Sequence, residues 1–495
     1  MRKWCLIFLI MFLWLRGGAA LAKEGVLTKV EGEITEFTLP NGMKFIVMER
    51  HNAPVVSFVT VVGVGSVCEK TGETGISHIL EHMAFKGTTH IGTKDWPRER
   101  ILLKKEDEAY KKWFLCSLRH GKSSCSKEKE QFERLKAEAD SLVIPNEFSK
   151  IIEQNGGEDL NAQTSSDYTM YFCSLPANRV ELWFYMESDR LKNPVWREFY
   201  TEKEVIREER RMRIDTSPMG KLIEAFRATA FIAHPYRHPT IGWDSDIQAI
   251  TISDLNRYYQ KYYVPENIVI AIVGDVNPAY IKGLAEKYFG DIKRRPMPEP
   301  IYTMEPPQDG PREVEVYDNA QPIYLRGYHI PSYGSRDYLA LEVLSSILSE
   351  GRSSRLYRDL VLNKKLALSI SASTGFPGER YPCLFVIFAI PSKGVSLERL
   401  SHAIDEEIAS VQKEGVTSQE IHRAYILSKA DILRSMESNL GMAQELAYYE
   451  VIGGSWRHIF SDVKEMARIT PEEIKEVACR YLVRENMTEA RLISK

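Results

Sequence analysis

The chain has 495 residues, 44% of them hydrophobic, with 65 basic and 68 acidic side chains for a formal charge of −3. This length and apolar share suffice for two or more buried cores and exclude a disordered or collagen-like chain. The near balance of charge excludes a global attraction to nucleic acid or to an anionic membrane, so specificity must come from a local site.

The opening "MRKWCLIFLIMFLWLRGGAALA" sets Arg2 and Lys3 before an apolar run from Trp4 to Leu15, and ends in the small-residue pattern Ala20-Leu21-Ala22. It predicts a secretory signal over residues 1–22, removed after Ala22. The alternative, a retained anchor, is opposed by a run shorter than the roughly 20 residues a spanning helix needs. The mature chain is therefore expected to be exported, and periplasmic if it comes from a Gram-negative bacterium. Six cysteines remain after the signal; Cys116 and Cys125 flank a polar turn that could bring them together in one local disulfide. No CxxC spacing occurs, which argues against thiolate zinc.

Residues 33–66 hold β-rich runs broken by Asn41-Gly42 and Asn52-Ala53-Pro54, a set of hairpin-linked strands. A helix is predicted from Gly75. Residues 98–154 are highly charged with apolar residues at helical spacing, interrupted near "RHGKSSCSK", and read as an inserted arm of two antiparallel helices. "NAQTSSDYTMYFCSLP" (161–176) is strand-like; helices are predicted from about Asn178 to Lys192 and from about Phe199 to Asp215; "IVIAIVGDV" (268–276) is a buried strand. The proline- and charge-rich segment 294–313 reads as a linker. Beyond it a strand and an amphipathic helix recur in residues 321–352, about 265 residues after their first appearance, which suggests two α+β domains of like construction.

"GISHILEHMAFKGT" (75–88) carries the chemistry. On a helix His78 and His82 stand at i and i+4, so both imidazoles leave the same face and can meet one cation, with Glu81 beside them. Two neutral nitrogens and a nearby carboxylate suit Zn²⁺ and a water molecule. This HxxEH order arises by chance in about 1% of chains this long. The plain alternative is a solvated pair of surface histidines. The apolar Ile79, Leu80, Met83 and Phe85 oppose it, since they predict burial, and buried imidazoles need partners. A third ligand is sought among Glu202, Glu204, Glu208 and Glu209. Glu202 and Glu209 share a helix face, and composition does not choose among the four. His234 and His238 have i, i+4 spacing too, but Pro235 and Pro239 oppose a helix there.

Taken in order, "HILEHMAFKGT", "GGEDLNAQTSSDYTMYF", "EKEVIREERR", "HPYRHPTIGW" and "YYVPENIVIAIVGDV" resemble the insulinase-like (pitrilysin) zinc metallopeptidases, especially bacterial two-domain relatives of mitochondrial processing peptidase. The resemblance spans nearly all of the mature chain. It implies an α+β fold of two homologous α/β domains, each a mixed, mostly antiparallel sheet packed against helices, in a clamshell-like arrangement. The N-terminal catalytic domain would cover residues 23–293 with a helical insert at about 98–150, the linker 294–315, and a C-terminal non-catalytic domain 316–495. It implies one Zn²⁺ per chain on His78, His82 and Glu209, Glu81 as the general base acting on a metal-activated water, Glu202 as a supporting carboxylate, and Asn161 and Ala162 on an edge strand that holds an unfolded or flexible peptide.

Two departures stand out. The separation of His82 from Glu209, 127 residues, is longer than the resemblance implies, and the arm accounts for the excess. Val361 and Leu368 stand where the family's second domain carries an arginine and a tyrosine that grip the substrate. Glu342, Ser345 and Ser346 stand where the first domain has His78, Glu81 and His82, so the second domain should not bind zinc in the same way. The expectation is a zinc endopeptidase working as a heterodimer with a related zinc-less subunit that supplies the missing pair. The alternative, a non-catalytic structural or assembly subunit, is opposed by retention of the full ligand set. No nucleic acid and no lasting membrane span are expected.

Overall fold

The computed structural model describes residues 29–495; the expected signal over residues 1–22 lies outside them. Strands β1 (Ile34–Thr38), β2 (Lys44–Glu49), β3 (Val55–Val62), β4 (Glu158–Thr164), β5 (Thr169–Pro176) and β6 (Ile268–Gly274) form a sheet in the order β1-β2-β6-β3-β5-β4. β2 and β6 are parallel, and the other neighbours are antiparallel. A second sheet of β7 (Arg312–Asp318), β8 (Ile323–Ile330), β9 (Ala367–Phe376), β10 (Cys383–Pro391) and β11 (Met487–Ser494) has the order β7-β11-β8-β10-β9, again with one parallel pair, β7 and β11. Strand for strand, β2-β6-β3-β5-β4 and β7-β11-β8-β10-β9 have the same order and directions. The repeat suggested by the recurring strand and helix is thus a repeat of topology. Residues 294–309, within the expected linker, have no helix or strand, and β7 begins at Arg312.

Eight helices position the site and join the halves: α1 (Ile76–Met83), α2 (Trp96–His120), α3 (Ser126–Asp140), α4 (Glu147–Gln154), α5 (Phe199–Arg210), α6 (Pro218–Ala230), α7 (Arg336–Ser349) and α8 (Asn439–Gly453). The expected helix to Asp215 changes at Arg211 to a π-helical segment, Arg211–Asp215, a wider turn found at many functional sites. Helices α2 and α3 are the arm, closed at its tip by a Cys116–Cys125 disulfide. At its root Tyr110 stacks on Tyr200 of α5 with ring centroids 4.1 Å apart, and Tyr200 donates to buried Asp107 at 2.7 Å. The arm is therefore packed onto the helix that carries Glu202 and Glu209.

The central strands of the first sheet alternate with period two between two apolar environments. Phe45, Val47, Phe58, Ile270 and Ile272 face the helices of their own half. Ile46, Met48, Val59, Val61 and Ala271 face Met442, Ala443, Leu446 and Ala447 of α8, together with Trp456. In exchange α6, from the first half, buries Leu222, Phe226 and Ala230 with Tyr324, Leu325 and Tyr328 of the second sheet. Each sheet is covered on one face by the other half.

Candidate metal centre

Helix α1 begins at Gly75, whose φ of +89° suits glycine and where a Cβ would stand 2.5 Å from the Ile241 carbonyl oxygen. Buried Glu69 holds the first turn by accepting the amides of Gly75 at 2.7 Å and Ser77 at 2.8 Å, and burial pushes its carboxyl up to about 8. Ile76, Ile79, Leu80 and Met83 enter the core. The remaining face turns His78, Glu81 and His82 toward a cleft of about 800 Å³.

Across the cleft, α5 supplies both carboxylates predicted to share a face. Glu209 Oε2 lies 3.7 Å from His78 Nε2 and 3.5 Å from His82 Nε2. Three donors each about 2.0–2.1 Å from a tetrahedral zinc ion stand about 3.4 Å apart, so the set fits that ion in chemistry and in spacing. Its partners orient it. Glu202 Oε1 is 3.0 Å from His82 Nδ1, and Lys86 Nζ is 2.6 Å from Glu202 Oε2. Arg213 Nε, one turn past Glu209, is 3.1 Å from Glu209 Oε1. His78 Nδ1 is buried and has no hydrogen-bond partner among the described residues. The two histidines are driven apart electrostatically: burial and the neighbouring His82 push His78 down to about 4, whereas His82, though burial opposes it, is pushed up to about 9 by Glu202 and Glu209.

Glu81 borders the same cleft. Its Oε2 accepts the Thr164 hydroxyl at 2.6 Å, and burial raises its carboxyl despite that bond. Thr164 ends β4, the free edge strand, on which Asn161 and Ala162 also line the cleft. Glu204 and Glu208 point to solvent and pair with Arg207 and Arg211. His234 is buried and caps the turn Pro235–Arg237, so it does not share a helix with His238. In the second half Val361 packs against the core and Leu368 is 58% exposed. Glu342, Ser345 and Ser346 lie on α7. Among the described residues the other grouping of potential metal ligands is Cys116, Cys125 and Glu128, whose cysteines are joined to each other. Thr164 and the Lys86–Glu202 pair were not anticipated from sequence, because they form only through the tertiary fold, whereas Arg213 pairs with a neighbouring acid one turn away and Glu69 reaches α1 from six residues before Gly75.

Residues 44–100 and 142–243 match the pattern of insulinase (peptidase family M16), and residues 249–426 that of the peptidase M16 inactive domain. The interruption in the first match falls on the arm. The chain is 30% identical over 476 residues to the zinc protease PqqE of Helicobacter pylori, covering 93% of each. It is 24% identical over 467 residues to a probable mitochondrial-processing peptidase subunit beta of Schizosaccharomyces pombe, covering 90% of this chain and 88% of that one. A crystal structure of a protease from Helicobacter pylori superposes with a TM-score of 0.77 at 27% identity, over 93% of this chain and 99% of that one. The periplasmic protease PqqL from Escherichia coli shares the fold with a TM-score of 0.68 at 17% identity, over 93% of this chain and 47% of PqqL.

Proposed function

Because the chain belongs to the insulinase family, peptidase family M16, related to bacterial zinc proteases and mitochondrial processing peptidase, we propose that it is a zinc endopeptidase acting on extended peptides. The observation that carries this reading is the meeting of His78, His82 and Glu209 around one point, with Glu81 beside them on an open cleft edged by β4. His78, His82 and Glu209 would hold Zn²⁺, one per chain, which when bound supplies a Lewis acid for a carbonyl and lowers the pKa of water. Glu81 is the proton carrier. Thr164 occupies its Oε2, which leaves Oε1 to take the proton of the attacking water and deliver it to the leaving nitrogen. Burial raises this carboxyl, and that makes its ionised form a stronger base.

The free edge of β4 can hydrogen-bond a peptide as an added strand, so the substrate must be unfolded or flexible. Asn161 and Ala162 are its contacts in this reading. Glu202 sets the ring of His82 and has no direct part in bond cleavage. The absence of an arginine and tyrosine at Val361 and Leu368 supports work as a heterodimer with a related zinc-less chain. Export, and a periplasmic site in a Gram-negative cell, is supported by the opening apolar segment, by the Cys116–Cys125 disulfide and by the description of PqqL as periplasmic. No helix among the described residues is long and apolar enough to cross a membrane.

The test is metal analysis of the purified mature chain together with cleavage of an unstructured quenched peptide, with and without a zinc-less partner. One zinc per chain, cleavage abolished by chelation and restored by Zn²⁺, and a rise on adding the partner are expected. A metal-free chain that cuts nothing in either setting sinks the peptidase reading, and partner-independent full activity sinks the heterodimer alone.

A further inference from the structure

Among the described residues five arginines are buried: Arg190, Arg197, Arg210, Arg227 and Arg326. Four of them pair with carboxylates, Arg190 with Glu187 at 2.5 Å, Arg197 with Glu99 at 2.8 Å, Arg210 with Glu224 at 2.8 Å and Arg326 with Glu489 at 2.8 Å. Arg227, only 7% exposed, has no carboxylate within 4.0 Å among these residues. Its Nε donates to the Tyr236 carbonyl at 3.0 Å and its Nη2 to Ser166 Oγ at a long 3.4 Å. Among the described residues Nη1 makes no hydrogen bond. A desolvated guanidinium without a counter-charge is costly and is kept where something else supplies the charge.

The acids around it are already engaged. Glu224 is held by Arg210, Glu69 by the first turn of α1, and Asp167 by the Tyr236 hydroxyl and the amides of Glu379 and Arg380. Arg227 nevertheless lines the cleft that holds the candidate metal centre, beside Ile223 and Ile241. Glu224 lines the same cleft but is taken up by Arg210, so an anion reaching Arg227 would meet a guanidinium that no carboxylate holds.

We infer that Arg227 is a recognition residue that binds a carboxylate carried by the peptide in the cleft, so that the site selects peptides with a negative charge lodged against Ile223 and Ile241. This rests on the peptidase reading and adds a substrate class to it. The carboxylate is either an acidic side chain or the free C-terminus of a short peptide, and the two are separable by experiment.

The test measures binding, so it does not depend on turnover. Fluorescent unstructured peptides, identical except for Glu, Gln or Lys placed at each position in turn, and each made with a free or an amidated C-terminus, are titrated against the full chain carrying Glu81→Gln. One register of Glu, or the free C-terminus, should bind about tenfold tighter than its uncharged counterpart, the yield of one added buried charge-assisted hydrogen bond. Adding Arg227→Met should erase that preference while the Gln peptides keep their affinity, and Arg227→Lys should restore part of it. Should Arg227→Met fold poorly, the Glu-to-Gln ratio without it and with Arg227→Lys still decides. Charge-blind binding, or a preference that survives Arg227→Met, overturns the inference while leaving the peptidase in place. Failure of the zinc-loaded chain to cut any of these peptides, both alone and with the zinc-less partner, strikes the peptidase reading, whatever the binding ratios.

Discussion

Glu202 Oε1 lies 3.0 Å from His82 Nδ1 while its other oxygen lies 2.6 Å from Lys86 Nζ. The carboxylate is thus fixed from both sides, and it fixes in turn which nitrogen of His82 faces Glu209. An orienting carboxylate behind a ligating histidine is commonly worth about 10–100-fold in metal affinity. Glu202→Gln should weaken Zn²⁺ binding by that amount, read by competition with a chromophoric chelator. Lys86→Met should act in the same direction and less strongly. Unchanged affinity in both variants removes Glu202 from the site.

Glu81 and Glu209 border one cleft and should part company on mutation. Glu81→Gln keeps the three candidate ligands and should retain zinc while losing about 10²–10⁴-fold in kcat, the range for a positioned general base. Glu209→Gln should lose both. Thr164→Val takes away the 2.6 Å bond that aims Glu81 and should cost about tenfold in kcat with KM little changed, the worth of one hydrogen bond to a charged group. Thr164→Ser should recover most of it. Metal content and steady-state kinetics on the same preparations separate these outcomes.

The division between what was legible in sequence and what was not follows the range of the interactions. His78 and His82 were legible because four residues of helix bring them together with no help from the rest of the chain. The duplicated architecture was legible as a recurring strand and helix, and the fold shows it as two sheets of one topology. Glu202 and Glu209 were narrowed to one helix face by periodicity, but which of them meets both Nε2 atoms and which backs His82 Nδ1 depends on how α5 docks on α1. Thr164, Lys86 and Arg227 carry no local signal at all. The exchange of α6 and α8 between halves was equally silent, since an apolar stripe says that a helix is buried and not which sheet buries it.

Glu342, on α7 where α1 has His78, gives the second half a pH signature. Burial pushes its carboxyl from 4.5 up to about 8. A raised acid binds its proton more tightly in the folded chain than in the unfolded one. Its neutral form therefore costs nothing at low pH, and stability falls as pH rises from about 4.5 through about 8. Glu342→Gln should flatten the loss of melting temperature across that window and leave zinc content untouched. Parallel profiles for the two proteins, measured by calorimetry across the same range, count against a proton-holding Glu342.

The reciprocal packing of the halves predicts that neither is independent. Phe226 of α6 is fully buried among side chains of the second sheet, and Trp456 seals the outer face of the first. Truncating either should cost about 3–5 kcal/mol, the range for large aromatic residues in cores. Because each contact belongs to both halves, Phe226→Ala should weaken hydrogen-exchange protection in β8 and β11 of the second sheet, and Trp456→Ala that of β3 and β6 of the first. A fragment ending at residue 293 would expose Leu222, Phe226 and Ala230 together with the face that α8 covers, contiguous apolar surface of the kind that drives association. It should aggregate alone and recover when residues 294–495 are co-expressed. A monomeric, cooperatively folding fragment would mean that the contacts between halves contribute little, and the exchange experiment would then show protection lost only in the half that carries the substitution.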